Sequence, residues 1–282
     1  MGILSIQSSV AAGHVGNAAA VFPLQRMGFD VWRVDTVVFS NHPAHGHHTG
    51  RIVGDGEIAA LIDGLAHLDL WETCEGILSG YLGNAETGGV ILDTVTQIRA
   101  TRPEALYLCD PVFGDNGTVY VADAIVDFYR TAGIPAADIV TPNAFEAAHL
   151  TGVDTATEAG AVTAARALRD LGPRIAVVTG IRTGDTARTI ALTPEGGWRV
   201  ATPWIARESH GAGDLFTALL LGHLLRRTPL PEALSRAVSS VHAILEKGGD
   251  SGGRDIPLIA EQEALLMPPA LFPADKIEPA HR

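Results

Sequence analysis

An alternation of short apolar runs with longer stretches of helical spacing constrains this chain more than any other feature. Residues 3–6 read as a strand, a glycine-containing turn follows, and 17–27 has the apolar spacing of a helix. The pattern continues with strand 31–38, helix 57–67, strand 76–78, helix 86–99 and strand 105–109. Strands at 138–140 and 174–178 come next, then a candidate antiparallel pair at 186–192 and 198–201, and two long helices near 213–226 and 231–246. Strands that alternate with helices pair in parallel, because a long crossover is what returns the chain to start the next strand in the same direction. The expected fold is therefore α/β, a mostly parallel central sheet with helices on both faces, and its ligands belong outside the carboxyl ends of the strands. No Pro/Ser-rich linker, low-complexity segment or fixed-length repeat divides the 282 residues, so one domain is expected; 267–282, with four prolines and no apolar period, reads as a surface tail.

Charge and residue usage then remove several functions. The chain carries 32 acidic against 20 basic residues, a net charge of -12, which gives no electrostatic footprint for nucleic acid or an anionic membrane. An anionic ligand needs a local site instead. Only Lys247 and Lys276 are lysines, and no Gly-Lys pair occurs, so neither a P-loop nor the early-strand lysine of a protein kinase is available. Cys74 and Cys109 lack metal-ligand or redox spacing, which fits a reducing, cytoplasmic setting. The first arginine is Arg26, so a basic leader region is missing, and the apolar run 215–225, broken by His223, is far below the roughly 20 residues of a membrane span. A soluble protein is expected.

The clearest chemical signal is Gly211-Ala212-Gly213-Asp214, followed at once by the apolar helical run 215–220. Glycines let backbone N–H groups approach a ligand, and a helix N-terminus adds partial positive charge, so this turn suits an anion. Asp214 beside it is placed to take a proton from an alcohol attacking a bound phosphoryl group. An ordinary glycine turn with Asp214 complementing the helix dipole is the alternative, and the tetrapeptide alone does not decide. Asp110, in Cys109-Asp110-Pro111, follows a strand end and suits a hydrated Mg²⁺, which typically uses one or two carboxylates plus substrate phosphates; the same Asp-Pro step also makes a plain turn. Asn143 and Glu146 lie three apart on one helix face, either as ligands or as a helix cap.

Read in order, these segments join others: Ser5-Ile6-Gln7-Ser8 with Val10 and Gly13, Val15-Gly16-Asn17, Phe39-Ser40-Asn41-His42, Ser79-Gly80-Tyr81, Cys109-Asp110-Pro111-Val112, Thr141-Pro142-Asn143 with Glu146, and Gly211–Asp214. Along nearly its whole length the chain resembles the pyridoxal kinases of the ribokinase superfamily. The last motif identifies only the superfamily, whereas the Ser-Ile-Gln-Ser and Phe-Ser-Asn-His segments are much more specific to the pyridoxal branch. The resemblance implies a ribokinase-like fold and ATP-dependent phosphorylation of the 5′-hydroxymethyl group of pyridoxal to pyridoxal 5′-phosphate, in vitamin B6 salvage. It implies ATP and Mg²⁺ as cofactors, with a monovalent cation requirement left open, a cytoplasmic homodimer, and neither nucleic acid nor membrane as partner. By position, Asp214 matches the family's base and Gly211, Ala212 and Gly213 its anion hole. Ser8, Val15 and Tyr81 match positions around the pyridine ring, as does position 43. Asp110, Asn143 and Glu146 fall on the metal and phosphate side, partly through water. Thr141 and Thr179 fall on the nucleotide side together with Asp110, Glu146, Asp115 and Tyr120, the last two on a short flap over the substrates.

Two departures from the family stand out. Pro43, where the family carries a Thr whose hydroxyl contacts the ring, bears on substrate preference, and Asn116 in the short flap, at a position that can carry a lysine, bears on the grip on ATP. His42, His45, His47 and His48 raise the question of a transition-metal site, but no carboxylate or cysteine at ligand spacing completes one, so a polar loop over the pocket is the expectation. A hydrolase is disfavoured, since no Gly-x-Ser-x-Gly elbow occurs. Competing readings are a hydroxymethylpyrimidine or other small-alcohol kinase of the same fold, and a non-catalytic vitamer-binding protein. The base-like Asp214 argues against the second.

Overall fold

Each central strand buries side chains on both faces, and the helices divide accordingly. In the computed structural model, which describes residues 1–207, 209–248 and 255–277, the strands are β1 (Gly2–Val10), β2 (Asp30–Phe39), β3 (Gly50–Ile52), β4 (Cys74–Ser79), β5 (Leu106–Cys109), β6 (Gly114–Asp115), β7 (Thr118–Val119), β8 (Ile139–Val140), β9 (Ile175–Thr183), β10 (Thr186–Thr193), β11 (Gly196–Pro203) and β12 (Ala274–Ile277). The helices are α1 (Asn17–Arg26), α2 (Asp55–Ala66), α3 (Glu86–Thr101), α4 (Asp123–Phe128), α5 (Ile134–Ala136), α6 (Ala144–Thr151), α7 (Glu158–Asp170), α8 (Ala212–Leu225) and α9 (Leu230–Gly248). Ile3 of β1 packs with Leu24 of α1 and Leu219 of α8, whereas its neighbours Leu4 and Ile6 pack with Ile58 of α2 and Ile91 of α3. That is why the strands read as continuous apolar runs rather than as alternating ones.

The main sheet has ten strands in the order β12-β11-β10-β9-β8-β5-β4-β1-β2-β3. Strands β9, β8, β5, β4, β1 and β2 run parallel, and the antiparallel partners sit at the two edges. The mostly parallel α/β fold expected from the sequence is therefore the observed one. Helix α8 is apolar all round because it lies under the sheet between α1 and α9. Its His223 is buried, and that burial, with help from Arg236 and Arg226, lowers the imidazole to about 4, so the ring sits neutral in the apolar run. Among the described residues no helix is long and apolar enough to cross a membrane.

Two parts differ from expectation. The segment expected as a surface tail adds the edge strand β12, pairing Ala274 with Val200 and Ile277 with Gly197, and the Phe272 N–H donates to Ser239 Oγ at 2.9 Å; residues 278–282 lie outside the described residues. Helix α7, which no apolar stripe announced, buries Ala161, Ala164, Ala165 and Leu168 and is capped by Thr157, whose hydroxyl accepts from the Gly160 N–H at 3.1 Å. Alanines at helical spacing carry too little hydrophobicity to stand out in the sequence.

Parallel register brings the site together. Ile6 pairs with Ser79, Ser79 with Cys109, Cys109 with Val140 and Val140 with Ala176, so all these strands end on one edge. The ladder carries on past the strand ends through Gly80 N–H to Ile6 O, Asp110 N–H to Ser79 O and Thr179 N–H to Pro142 O. Ser8, Tyr81, Asp110, Thr141 and Thr179 thereby fall along that edge.

Candidate active site

On one flank the carboxylates are buried and held by backbone. Asp110 is 5% exposed and its Oδ1 accepts from the Thr141 hydroxyl at 3.0 Å. Glu146, also buried, accepts from the N–H groups of Phe113 at 3.0 Å and Gly114 at 3.4 Å through Oε1, and from Asn143 N–H at 2.9 Å through Oε2. Asn143 Oδ1 returns the last contact by accepting from the Glu146 N–H at 2.8 Å, so the cap alternative left open by the sequence is realised as a reciprocal capping box. The Asn143 amide nitrogen donates to Gly114 O at 2.8 Å, which ties the flap to the start of α6. Both ends of Asn143 are thus committed to protein partners. Burial, then the nearby Asp214 charge, push the Asp110 carboxyl up to about 8 against the Thr141 hydrogen bond. Glu146 is raised too, by burial first and Asp110 second, while its backbone donors oppose the shift.

The facing flank is the turn at the head of α8. Gly211 adopts φ 90°, a left-handed conformation, and sits against the His14 carbonyl, where a side chain would collide. The turn delivers Asp214 into the first turn of α8, where it accepts a hydrogen bond from the Gly16 backbone; burial raises its carboxyl, and that bond acts the other way. Gly16, at φ 54°, lies so close to Ser8 that a Cβ there would strike the Ser8 carbonyl and hydroxyl. Gly16 is therefore where β1, the α1 turn and Asp214 meet. Ser8 is the one residue of β1 that is not fully buried, at the point where the β1–β2 register slips between Gln7 and Ser9. Ser5 and Gln7 of the same segment face inward: the Ser5 hydroxyl donates to Asn17 Oδ1 at 2.7 Å, the Gln7 amide donates to Ser5 Oγ at 3.0 Å, and Asn17 Nδ2 donates to Val34 O at 2.9 Å. These bonds fix the approach of α1 to β1 and β2.

Two exposed loops overhang the edge. The flap is the hairpin β6–β7 closed by Asn116-Gly117, a dipeptide that suits a tight two-residue turn. Asp115 is exposed and accepts from the Asn116 N–H at 2.7 Å. The Tyr120 hydroxyl is raised by burial and by the charges of Glu146, Asp214, Asp110 and Asp115, although 52% of the residue is exposed, so the flap reaches the carboxylates. The second loop carries Pro43, which is exposed and opens a single 3₁₀ turn, Pro43–His45, capped by His42. Val15 is buried, and Tyr81 is half-buried with its carbonyl accepting from the Thr36 hydroxyl at 2.6 Å. Among the described residues no group of three or more His, Cys, Asp or Glu side chains is arranged to hold a metal ion. Instead the His42 ring stacks on His210, with centroids 4.0 Å apart, and His45 Nε2 lies 3.4 Å from Asp255 Oδ1. Gly16, His210 and Asp255 were not legible as site residues; only the first lay in a quoted motif, and their neighbours come from distant parts of the chain.

Comparison with known proteins is consistent with this geometry. Residues 73–258 match the family model described as phosphomethylpyrimidine kinase. The chain is 46% identical to pyridoxal kinase PdxY of Rubrobacter xylanophilus, with 98% of each chain covered, and 43% identical to pyridoxal kinase PdxY of Deinococcus radiodurans over 98% of this chain and 96% of the relative. Among solved structures, pyridoxal kinase from Leishmania donovani in complex with ADP and pyridoxine superposes with a TM-score of 0.94 at 28% identity, covering 98% of this chain and 99% of that one. Full-length similarity of this degree, on the same fold, places the chain in the pyridoxal kinase family.

Proposed function

We propose that this protein transfers the γ-phosphoryl group of ATP to the 5′-hydroxymethyl group of pyridoxal, giving pyridoxal 5′-phosphate and ADP. The observation that carries the reading is Asp214, fixed by the Gly16 N–H at the mouth of the Gly211–Gly213 turn. The first N–H groups of a helix have no partner inside it, so the turn offers donors and a positive dipole end to the transferring phosphoryl group. Asp214 takes the hydroxyl proton as the oxygen bonds to the γ-phosphorus and the bond to the β-phosphate oxygen breaks. Its carboxyl is raised toward the operating pH, which favours a general base, since proton transfer is most efficient when the two match.

Ser8, Val15 and Tyr81, with Pro43, line the vitamer side, and Thr141, Thr179, Asp115 and Tyr120 the nucleotide side. A Mg²⁺ ion fits the donor set: burial and the Asp214 charge raise the Asp110 carboxyl, and burial and the Asp110 charge raise that of Glu146, a crowding of negative charge that a divalent cation with nucleotide phosphates relieves. When bound there, the ion neutralises charge on the β- and γ-phosphates. Asp110 and Glu146 would hold it, partly through water, while Asn143 keeps Glu146 and the flap in register. A match to the phosphomethylpyrimidine kinase model keeps hydroxymethylpyrimidine as the competing acceptor.

The test is Asp214→Asn assayed with pyridoxal. Positioned proton transfer is typically worth roughly 10²- to 10⁴-fold in rate, so kcat should fall by about that factor while the affinity for Mg·ADP stays near that of the parent enzyme. Unchanged turnover would remove Asp214 as the base.

A further inference from the structure

The loop carrying Pro43 is anchored by backbone hydrogen bonds at its base and by side-chain rings farther out. Ser40 N–H donates to Thr49 O at 2.7 Å, and the carbonyls of Phe39 and Ser40 accept from the N–H groups of Ala11 and Ala12 at 2.8 and 2.9 Å. Further out the bonds are short-range, such as His45 N–H to His42 O at 3.0 Å and Asn41 Nδ2 to His47 O at 3.1 Å, and residues 43–50 are exposed. A segment of this kind orders poorly unless something outside it holds it. While the His48 ring packs on Phe39 at the base, with centroids 5.0 Å apart, two rings farther out meet His210. The His42 ring lies on His210 at 4.0 Å and 22°, the His45 ring is 5.7 Å from the same His210 ring, and His45 also approaches Asp255, which forms a bridge with His210. His210 is the residue immediately before Gly211, and the turn it precedes packs against the His14 carbonyl and is tied to α8 by the Leu215 N–H, which donates to Gly211 O at 2.9 Å.

We infer that His210 is a positioning residue that sets the Pro43 loop against the phosphoryl-accepting turn, so that the vitamer is bound by a loop already in place. The inference rests on the pyridoxal kinase reading of the site. Removing the ring leaves the turn intact and loosens the loop by the loss of the His42 stack, and ordering the loop then opposes vitamer binding rather than preceding it. The nucleotide side, held by Asp110, Thr141 and Glu146, is untouched. The effect belongs in the KM for pyridoxal and not in kcat or in the KM for ATP.

The experiment compares His210→Ala and His210→Phe with the parent enzyme by steady-state kinetics. Loss of a stacked ring pair should raise the pyridoxal KM by roughly 3- to 10-fold in the alanine variant, with kcat and the ATP KM within about twofold. Phenylalanine, which restores a ring without an imidazole, should bring the pyridoxal KM back toward the parent value. A parent-like KM in the alanine variant overturns the inference, as does a phenylalanine variant as impaired as alanine, or a joint change in kcat and both KM values. If the alanine variant does not fold, His210→Leu takes its place under the same criteria. Cleavage of 41–49 by a nonspecific protease separates this inference from the reading beneath it: the freed loop should be cut faster whether or not pyridoxal proves to be the acceptor, and equal cutting rates overturn the tether.

Discussion

The two flanks of the site are held by different forces. On the carboxylate flank, Glu146 accepts three backbone N–H groups and Asp110 one hydroxyl, with both carboxylates buried, so the geometry is fixed at the cost of crowding negative charge. On the loop that overhangs the same edge, Pro43 and its neighbours stand in solvent, and His42 rests on the ring of His210. Buried hydrogen-bonded charges tolerate little change, since any unpaired member is left without solvent, whereas an exposed loop can alter its side chains without endangering the fold. Under the proposed function, the metal-holding carboxylates belong to the rigid flank and the choice of vitamer to the adaptable loop.

The largest expected effect tests the crowding. Because Asp110 is raised from 3.8 to about 8 in the folded chain, the folded state holds a proton there that the unfolded state has already released, so stability falls as pH rises through that window. The slope is at most about 1.4 kcal/mol per pH unit for one proton. Asp110→Asn should remove it, so that thermal melts show the variant gaining on the parent enzyme from pH 5 to pH 8, and Mg·ADP should narrow the gap. Parallel curves would mean that the carboxylates are not in conflict. Next in size, Glu146→Ala strands buried N–H donors at 1–3 kcal/mol each, and a loss on the order of 3 kcal/mol in urea unfolding is expected; a loss below about 0.5 kcal/mol, usual for an exposed substitution, would show that the flank is not rigid. The smallest effect falls on the exposed flank. Pro43→Thr restores a hydroxyl worth about 0.5–1.5 kcal/mol net, so pyridoxal should bind a few-fold to roughly tenfold more tightly by calorimetry, with melting temperature nearly unchanged. No gain would mean that Pro43 does not face the ring.

Legibility in the sequence followed the same division. The parallel sheet was readable because buried strands leave unbroken apolar runs, and Asp110 and Asp214 because each follows a strand or glycine turn where ligands collect in such sheets. For Asn143 and Glu146 spacing alone left cap and ligand open; only the return bond from Asn143 Oδ1 resolved the cap. Gly16 touching Asp214 depends on two turns almost two hundred positions apart and has no local mark. The stack of His42 on His210 is equally non-local, which is why the histidines read only as a polar loop. Strand β12 escaped notice because four residues at a sheet edge, half of them exposed, carry no apolar period.

The central claim is that this site phosphorylates a pyridine alcohol. It is tested most directly by ADP release and product mass with pyridoxal, pyridoxine, pyridoxamine and hydroxymethylpyrimidine offered separately with Mg·ATP. The account predicts pyridoxal 5′-phosphate as a product, with kcat/KM for pyridoxal above that for hydroxymethylpyrimidine. Turnover of hydroxymethylpyrimidine alone, or of none of the four, would contradict it.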